Sequence, residues 1–508
     1  MMNYLIGMDI GTSSTRAIIV DENGKLIASS TSEYPLITPK PGWAEQNPED
    51  WWKASLEVIK EVLIISGISP KDVAAIGPSG QMHGSVFLDA EGNVLRPALL
   101  WCDQRTQPQC DEIYNVFDYE GFIKLSFNKA LTGFTAPKIL WLRDNEPENY
   151  KKVSKVLLPK DYIRFMLSGS YATEVSDASG TILMDIAKRT WSNEILTGLD
   201  IDRNLLPDVY ESHEVTAKVN RAAAGLTGLL EGTPIAGGAG DQACGAVGSG
   251  IVVPGLISDY LGTSGVVFSY SDSPVYDNQG RLHCFCHAVS GKWHLMGVTL
   301  SAAGSLKWYN DNFGPSDSIR QKYPDRKSYK LLDLQAENVD PGANGLIFLP
   351  YMSGERTPYA DPYARGVFFG LSYVHGQDHF VRSILEGVAF SQFDCLSLMN
   401  EIGIKSGKVV LFGGGAKSSL WKQIIADIFN VKIVTLNVEE GPSYGGALLA
   451  GVGCGIYKNI VEAAQRIIKE VDAVLPVLQN VEKYRKIYRI YRSLYKDLKS
   501  NFSEVAGI

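Results

Sequence analysis

Four segments carry residue types from which chemistry is built. The first is Asp9-Ile10-Gly11-Thr12-Ser13-Ser14-Thr15-Arg16. A turn rich in Gly, Ser and Thr presents backbone N–H groups and hydroxyls, the donors that hold phosphate oxygens without a lysine-bearing helix. Asp9, at a strand end, is placed to hold a magnesium ion through water, and Arg16 to meet a phosphate. The same eight residues would equally make an ordinary hairpin turn with surface hydroxyls. The second segment is Gly237-Gly238-Ala239-Gly240-Asp241-Gln242-Ala243. Its glycines let a substrate approach the Asp241 carboxylate closely, as a general base requires, although aspartate is also a common turn residue.

The third segment is Gly80-Gln81-Met82-His83-Gly84, with Trp101-Cys102-Asp103-Gln104-Arg105 some twenty residues later. Polar side chains and an aromatic beside glycines suit a polyhydroxyl ligand, whereas a lone histidine such as His83 is usually structural. The fourth is Gly413-Gly414-Gly415-Ala416. Its missing side chains would let a nucleotide lie against the backbone, or would simply form a tight turn. No Gly-x-x-x-x-Gly-Lys-Ser/Thr is present, which excludes a P-loop, and no Gly-x-Gly-x-x-Gly, which disfavours a Rossmann site or a protein-kinase lid. His283-Cys284-Phe285-Cys286-His287 has the residue types of a zinc site. Read as a strand, it sends the histidines to one face and the cysteines to the other, so they do not converge on one ion.

The elements that must position these groups follow from the local pattern. Tyr4–Met8 reads as a strand, Asp9–Ser14 as a turn and Arg16–Val20 as a second strand. Asn23-Gly24 then turns the chain into Leu26–Ser30. Asn47-Pro48-Glu49-Asp50 is a helix start, cap then proline then acids, leading into Trp51–Ile65. Val86–Leu88, Glu91-Gly92-Asn93 and Val94–Leu100 read as strand, turn and strand. In the second half Asp277-Asn278-Gln279-Gly280 is a hairpin turn. Lys408–Phe412 and Lys432–Leu436 are strands flanking a helix over Ser418–Asn430, and Gly441-Pro442-Ser443-Tyr444-Gly445-Gly446 starts another helix. The last fifty residues have helical spacing and read as a peripheral C-terminal helix. Asp9-Ile10-Gly11-Thr12-Ser13 resembles Tyr260-Leu261-Gly262-Thr263-Ser264, close to half the chain length away. This repeat predicts two related α/β domains joined near residues 245–257.

Composition sets the frame. The chain has 508 residues, 45% hydrophobic and 20% charged, with 48 Lys plus Arg against 56 Asp plus Glu and a net charge of −8. That balance is globular, and its mild acidity argues against a nucleic-acid or anionic-membrane surface. Its 50 glycines in 508 residues exceed the usual ~7% and predict many close backbone approaches. Seven cysteines without close-set pairing do not read as a disulfide framework. The N-terminus has no basic segment before its apolar run, and no segment approaches the ~20 apolar residues of a membrane span. A cytoplasmic location is the expectation.

Taken together, the segments resemble the FGGY carbohydrate kinase family, whose core is actin-like. The matching stretches are DIGTSSTRAIIV from Asp9, GWAEQNPEDWW from Gly42, GQMHG from Gly80, LWCDQRT from Leu100 and GFTAPKILWL from Gly133. They continue with LLPKDYIRFMLSG from Leu157, SDASGT from Ser176, GGAGDQACGAVG from Gly237, LGTSGVVF from Leu261 and FCHAVSGKWHLM from Phe285. LPYMSGERTPYADPYARGVFFGL from Leu349 and FGGGAKSSLWKQIIADI from Phe412 complete a likeness running from about residue 3 to 455. Two positions depart from the family: Gln242 stands where Gly-Asp-Asn is usual, and Pro78 where small apolar residues are common.

The resemblance implies an α/β fold of two RNase-H-like, actin-like ATPase domains with a cleft between them. It places a sugar-binding domain at residues 1–248, a nucleotide-binding domain at 255–455 and a helical extension at 456–508. It implies ATP and Mg2+ as cofactors and, from GQMHG with GFTAPK, phosphorylation of D-xylulose at its 5-hydroxyl. Asp241 would be the general base and Asp9 would organise Mg2+, with Asp241 as a second metal contact. Gly11, Thr12, Ser13, Ser14, Arg16, Gly262 and Thr263 would hold phosphates. Adenosine would lie along Gly414, Gly415, Ala416, Ser418 and Ser419, with Gly304 nearby. Met82, His83, Trp101 and Asp103 would contact the sugar beside Asp241. The partners implied are a small sugar and ATP, with a homodimer as the frequent family state. The alternatives are a kinase for D-ribulose, L-xylulose or gluconate, and an actin- or chaperone-like ATPase.

Overall fold

A computed structural model describes residues 2–438 and 441–506. The first half is built on strands β1 (Tyr4–Ile10), β2 (Ser14–Asp21) and β3 (Leu26–Glu33), the expected meander. Helix α1 (Pro48–Ser66) then crosses to β4 (Val73–Gly80), parallel to β1. Helix α1 starts where Pro48 and the acids at Glu49 and Asp50 indicate, although the Asn47 side chain makes no capping bond. Its apolar face buries Trp51, Val58, Ile59 and Val62 against Ile6, Ile19 and Ile76 of the sheet. Each such side chain contributes about 1.5–3 kcal/mol when fully buried. Residues 81–214 form a large insertion before β5 (Val215–Lys218) and β6 (Pro234–Ala236) finish the sheet, in the order β5-β6-β4-β1-β2-β3. Ala239–Gly240 extends the pairing along the end of β4, and α2 (Asp241–Gly248) follows at once.

The second half repeats the plan. Strands β7 (Leu256–Leu261), β8 (Gly265–Ser271), β9 (His283–Cys286) and β10 (Trp293–Thr299) precede α3 (Ala303–Asn312) and the long α4 (Gln377–Glu401). Then come β11 (Lys408–Phe412), α5 (Ser419–Phe429), β12 (Lys432–Leu436), α6 (Gly441–Gly453), β13 (Glu470–Val474) and α7 (Leu478–Val505). The sheet order is β9-β10-β8-β7-β11-β12-β13. In each sheet a hairpin strand pair lies antiparallel, and its first strand pairs in parallel with the next strand beyond it, β1 with β4 and β7 with β11. The repeated Gly-Thr-Ser turns occupy the same place in both.

Three local expectations change. Val94–Leu100 is not one strand. Val94 makes a single bridge back to Leu88, and Ala98–Leu99 is a separate short strand that pairs with Glu45–Gln46, while Val86–Leu88 pairs with Lys155–Leu157. Pro97 lacks the N–H that a continuous ladder would need. Asp277–Gly280 does turn, with Gly280 N donating to Asp277 O, but the strands either side are not partners: β8 and β9 both pair with β10. The C-terminal helix α7 is not peripheral. Tyr484, Tyr491, Leu494, Tyr495 and Phe502 join the core of the second half, and β13 before it completes that sheet's edge.

The glycine excess has a structural reason. Helix α6, from the second half, lies directly on the backbone of the first sheet and of α2. A Cβ on Gly7 would come within 1.8 Å of Ser443 O, one on Gly77 within 1.9 Å of Gly446 O, and one on Gly445 within 1.8 Å of Cys244 O. Only glycine permits that approach. Around it Leu5, Val20, Ala243, Val247, Ala447 and Leu448 form a core shared between the halves. A second shared core joins the insertion to β8–β10 through Phe134, Phe268, Phe285 and Met296. No helix among the described residues is long and apolar enough to cross a membrane.

Candidate active site

The ends of β1 and β4 and the start of α2 converge. Asp9 stands opposite Arg16 in the antiparallel register and beside Ser79 in the parallel one. Ser79 Oγ donates to Asp9 Oδ1 at 3.0 Å. Burial pushes the Asp9 carboxyl up to about 6, against the opposing pull of that bond and of the Arg16 charge. Gly240 pairs with Gly80, which sets Asp241 at the same edge. Burial lifts Asp241 to about 7; the Asp9 charge adds to the rise, while backbone and side-chain bonds from Gln242 oppose it. Gln242, the departure from the family pattern, therefore still supplies an amide donor to this carboxyl. Pro78, the other departure, packs on the same loop: a Cβ on Gly238 would meet Pro78 O at 1.8 Å. Two carboxyls that hinder each other's ionisation fit a hard divalent cation, which would stabilise both charges through oxygen ligands or water.

The Gly11–Ser14 turn is closed by Gly11 N donating to Ser14 O at 3.0 Å. Side chains then brace it from below. Gln81 Nε2 donates to Gly11 O at 3.2 Å, Gln46 Nε2 to Thr12 O at 2.7 Å and Tyr34 OH to Gly11 O at 2.6 Å. Trp101 Nε1 reaches Thr12 Oγ1 at 2.9 Å, joining the Trp101–Arg105 segment to this turn. Gln81, Gln46, Tyr34 and Ser79 were not among the expected site residues. Gln81 and Gln46 lie inside the family-like segments GQMHG and GWAEQNPEDWW, a signal that was available; Tyr34 carried none.

The second turn is closed by Gly262 N donating to Ser264 O at 3.1 Å and is braced by backbone alone. Ala303 N donates to Gly262 O at 2.8 Å, and Ala302 N and Gly304 N donate to Thr263 O at 2.9 and 3.2 Å. Gly304 is obligatory in this contact, since a Cβ there would lie 2.8 Å from Thr263 O. Gly413 abuts Leu261, the residue before this turn, and a Cβ on it would meet Leu261 O at 2.5 Å. Gly262, Thr263, Gly304 and the Gly414–Lys417 turn are thus neighbours. Ser418 caps α5 through Trp421 N and donates to Asp333 Oδ1 at 2.8 Å, so its hydroxyl serves the scaffold. Gly414 is open, with nothing within 4 Å of a notional Cβ.

Met82 lies against the backbone leading to Asp241: a Cβ on Gly240 would be 2.8 Å from its Cγ. His83 follows in a left-handed conformation, φ 68°, which costs a non-glycine residue ~1–2 kcal/mol. Its ring packs at 4.5 Å from Phe134 and 5.9 Å from Phe285, and its Nδ1 lies 2.8 Å from Gly180 O. Asp103 is fully buried, and protein donors occupy both its oxygens. Ala44 N donates to Oδ2 at 2.7 Å, and Arg105 Nε and Nη2 reach the carboxylate at 3.0 and 2.7 Å. It braces Arg105, whose guanidinium stacks 3.5 Å over Trp43.

Behind Gly80 and Gly240 sits a buried charge cluster that the sequence did not announce. Lys160 Nζ is 2.6 Å from Asp161 and 3.4 Å from both Glu174 and Asp177, all of them buried. One ammonium cannot stabilise three desolvated carboxylates, and burial drives Asp177 well above the carboxylate range. Ser176 Oγ, bonded to Glu174, accepts Gly240 N at 3.1 Å, which ties the cluster to the Asp241 loop.

Comparison with known proteins agrees with this architecture. Residues 4–248 match the N-terminal domain, and residues 260–454 the C-terminal domain, of the FGGY family of carbohydrate kinases. The chain is 42% identical to the xylulose kinase of Bacillus subtilis over 98% of each chain. Among solved structures it is similar to a ligand-bound xylulose kinase and to a gluconate kinase, both from Lactobacillus acidophilus. Each has a TM-score of 0.91 and 26% identity, covering 99% of this chain and 100% of the other. With both family domains in sequence and two matching sheets, the first of which carries a buried carboxylate pair at its edge, the protein belongs to the FGGY family of carbohydrate kinases, and is an enzyme that transfers a phosphoryl group.

Proposed function

We propose that the protein phosphorylates D-xylulose at its terminal 5-hydroxyl, with ATP as donor. The observation that carries this reading is the position of Asp241. It follows directly on the backbone that Met82 covers, and it interacts electrostatically with Asp9 at the foot of the first Gly-Thr-Ser turn. Similarity to xylulose kinases over nearly the whole chain supports the choice of sugar.

In this reading the sugar lies against Met82 and His83, with Trp101 at the border to the phosphate turn. Asp241 accepts the proton of the 5-hydroxyl as its oxygen attacks the γ-phosphorus, and ADP leaves. A carboxylate near neutral pKa is a better base than an ordinary aspartate, yet the transition state is loose enough that orientation does most of the work. Asp9, with Asp241 as second contact, would hold Mg2+, which would neutralise charge on the β- and γ-phosphates. Backbone N–H groups and hydroxyls of Thr12, Ser13, Ser14 and Thr263, with Arg16, receive phosphate oxygens, in turns that the Gly11 and Gly262 N–H groups close and whose missing side chains leave room for the phosphates. Adenosine lies along Gly414, Gly415, Ala416 and Ser419, with Gly304 fixing the turn beneath. The working division is residues 1–248 for sugar and base and 255–455 for nucleotide, with 456–508 completing the second half's sheet edge and core. ATP use fits a cytoplasmic site of action, and a homodimer is the working oligomeric state.

A second reading is a kinase for another ketose or a sugar acid, favoured by the equally close likeness to a gluconate kinase structure. The test is coupled ADP release with Mg-ATP across D-xylulose, L-xylulose, D-ribulose, L-ribulose, gluconate, glycerol and no sugar. A preference for D-xylulose of tenfold or more in kcat/KM, about 1.4 kcal/mol in transition-state binding, supports the proposal. A different winner overturns the choice of sugar and leaves the Asp241 mechanism in place.

A further inference from the structure

His83 holds a backbone conformation that its residue type disfavours, and the contacts that keep it there converge from three directions. Its carbonyl oxygen accepts from Lys138 Nζ at 2.7 Å and from Thr135 Oγ1 at 3.1 Å. Its ring Nδ1 lies 2.8 Å from Gly180 O. A carbonyl only accepts, so Nδ1 carries the proton and Nε2 is the unprotonated acceptor of a neutral imidazole. Burial keeps the ring neutral by pushing its pKa well below the ordinary value.

Lys138 is itself fully buried, and its other hydrogen bond goes to Gly133 O at 2.7 Å. Among the described residues it forms no ion pair with any carboxylate. A buried lysine bonded only to carbonyls is a poor charge partner and an effective backbone clamp. Burial brings its pKa down to about 7, and the neutral amine still has two N–H donors, so both bonds persist in either protonation state. Thr135 and Lys138 stand one turn apart on the helix Thr135–Asn145, on the same face, and grip the same oxygen.

We propose that Lys138 is a positioning residue. Its clamp on the His83 carbonyl, seconded by Thr135, holds the left-handed turn and so presents Nε2 as an acceptor for a hydroxyl of a ketose or polyol. This rests on the reading that Met82 and His83 line the sugar pocket. A ligand hydroxyl bound there donates to the ring, so a deoxy or methoxy analogue at that carbon binds less well.

The test compares wild type with Lys138→Met, Lys138→Gln and Thr135→Val. Readouts are D-xylulose affinity by calorimetry, separate KM values for sugar and ATP, and the imidazole 15N shifts of His83, assigned through His83→Asn. Lys138→Met is expected to weaken sugar binding at least tenfold with KM for ATP unchanged, and to shift the His83 signals away from a single Nδ1–H tautomer. Lys138→Gln, which keeps two amide donors, recovers part of both. Unaltered sugar affinity in Lys138→Met, or an equal rise in both KM values that Lys138→Gln does not reverse, overturns the proposal. If Lys138→Met does not fold, Thr135→Val decides: a smaller loss in the same direction supports the clamp, and wild-type binding overturns it. If the wild-type enzyme accepts no ketose at all, the substrate reading fails separately, and the 15N comparison of wild type with Thr135→Val still decides whether the clamp holds the ring Nδ1–H on Gly180 O.

Discussion

The turn after β1 and the turn after β7 carry the same Gly-Thr-Ser triplet at the same place in two matching sheets, yet different forces hold them. The first is braced by side chains: Gln81, Gln46, Tyr34 and Trp101 all bond to it. The second is braced by three backbone N–H groups from residues 302–304. The strand end before the first turn carries Asp9, tucked beside Ser79, whereas the matching position in the second carries Tyr260, which is 47% exposed. In the proposed reading both turns cradle phosphate, but only the first has a carboxylate directly before its Ile-Gly-Thr step, where the second has Tyr260 before Leu-Gly-Thr. A repeat conserves backbone geometry because hairpins tolerate few alternatives, while side chains one residue away are free to diverge.

The sharpest way to break that asymmetry is to remove the proposed base. Asp241→Ala is expected to lower kcat by about 10²–10⁴, the usual worth of a general base, while ATP binding measured by calorimetry is retained. Wild-type turnover in this variant would refute the assigned role. Next, Asp9→Asn should cost about 10–100-fold in apparent Mg2+ affinity, as loss of a water-bridged support does. Tyr260→Phe at the matching position should change nothing beyond twofold. Equal effects at the two sites would mean that the second turn also handles the metal.

The carboxyl pair also predicts pH behaviour. Asp241 must be ionised to accept a proton, so kcat/KM for the sugar should fall about tenfold per pH unit below its pKa near 7, and level off above it. Both Asp9 and Asp241 are raised, so the native protein binds more protons than the unfolded chain between about pH 4 and 7. Their contribution to stability therefore diminishes as pH rises through that window, and melting with and without Mg-ADP measures how much a bound cation restores. A metal-free enzyme that gains stability over the same interval from these groups, judged against Asp9→Asn, would contradict the burial argument.

The smallest effects separate the two modes of bracing. Gln81→Leu removes one of two donors from Gly11 O, one of two from Gln46 Oε1 and the acceptor of the Thr12 hydroxyl, a loss of about 1–3 kcal/mol that should raise KM for ATP roughly tenfold. In the second turn no side chain can be removed to the same end. There, Gly304→Ala should do it through the 2.8 Å approach to Thr263 O, with a several-fold rise in KM for ATP. If Gly304→Ala is silent while Gln81→Leu is not, the second turn has slack that the first lacks.

Much of this arrangement was legible in the amino-acid order. The β1–β2–β3 meander, the start of α1 at Pro48, the β11–α5–β12 unit and the duplication at Gly11 and Gly262 all follow from turn residues, caps and periodicity. These are local properties of the chain. The family followed from motifs spread over most of its length. What only the tertiary structure decided is which residues meet. Asp103 reads as a ligand contact in its motif, and the fold turns its carboxylate onto Ala44 N–H and Arg105. The C-terminal helix reads as peripheral because it is rich in Lys and Arg, yet its tyrosines complete a core. Tyr34 has no local signature, and the motifs that hold Gln46 and Lys138 do not reveal their roles, because their partners lie across the fold in elements that meet only when the sheets assemble. A carboxylate's pKa near 7 is likewise nowhere in the sequence, since it comes from the water that folding removes and from a second carboxylate that folding brings near.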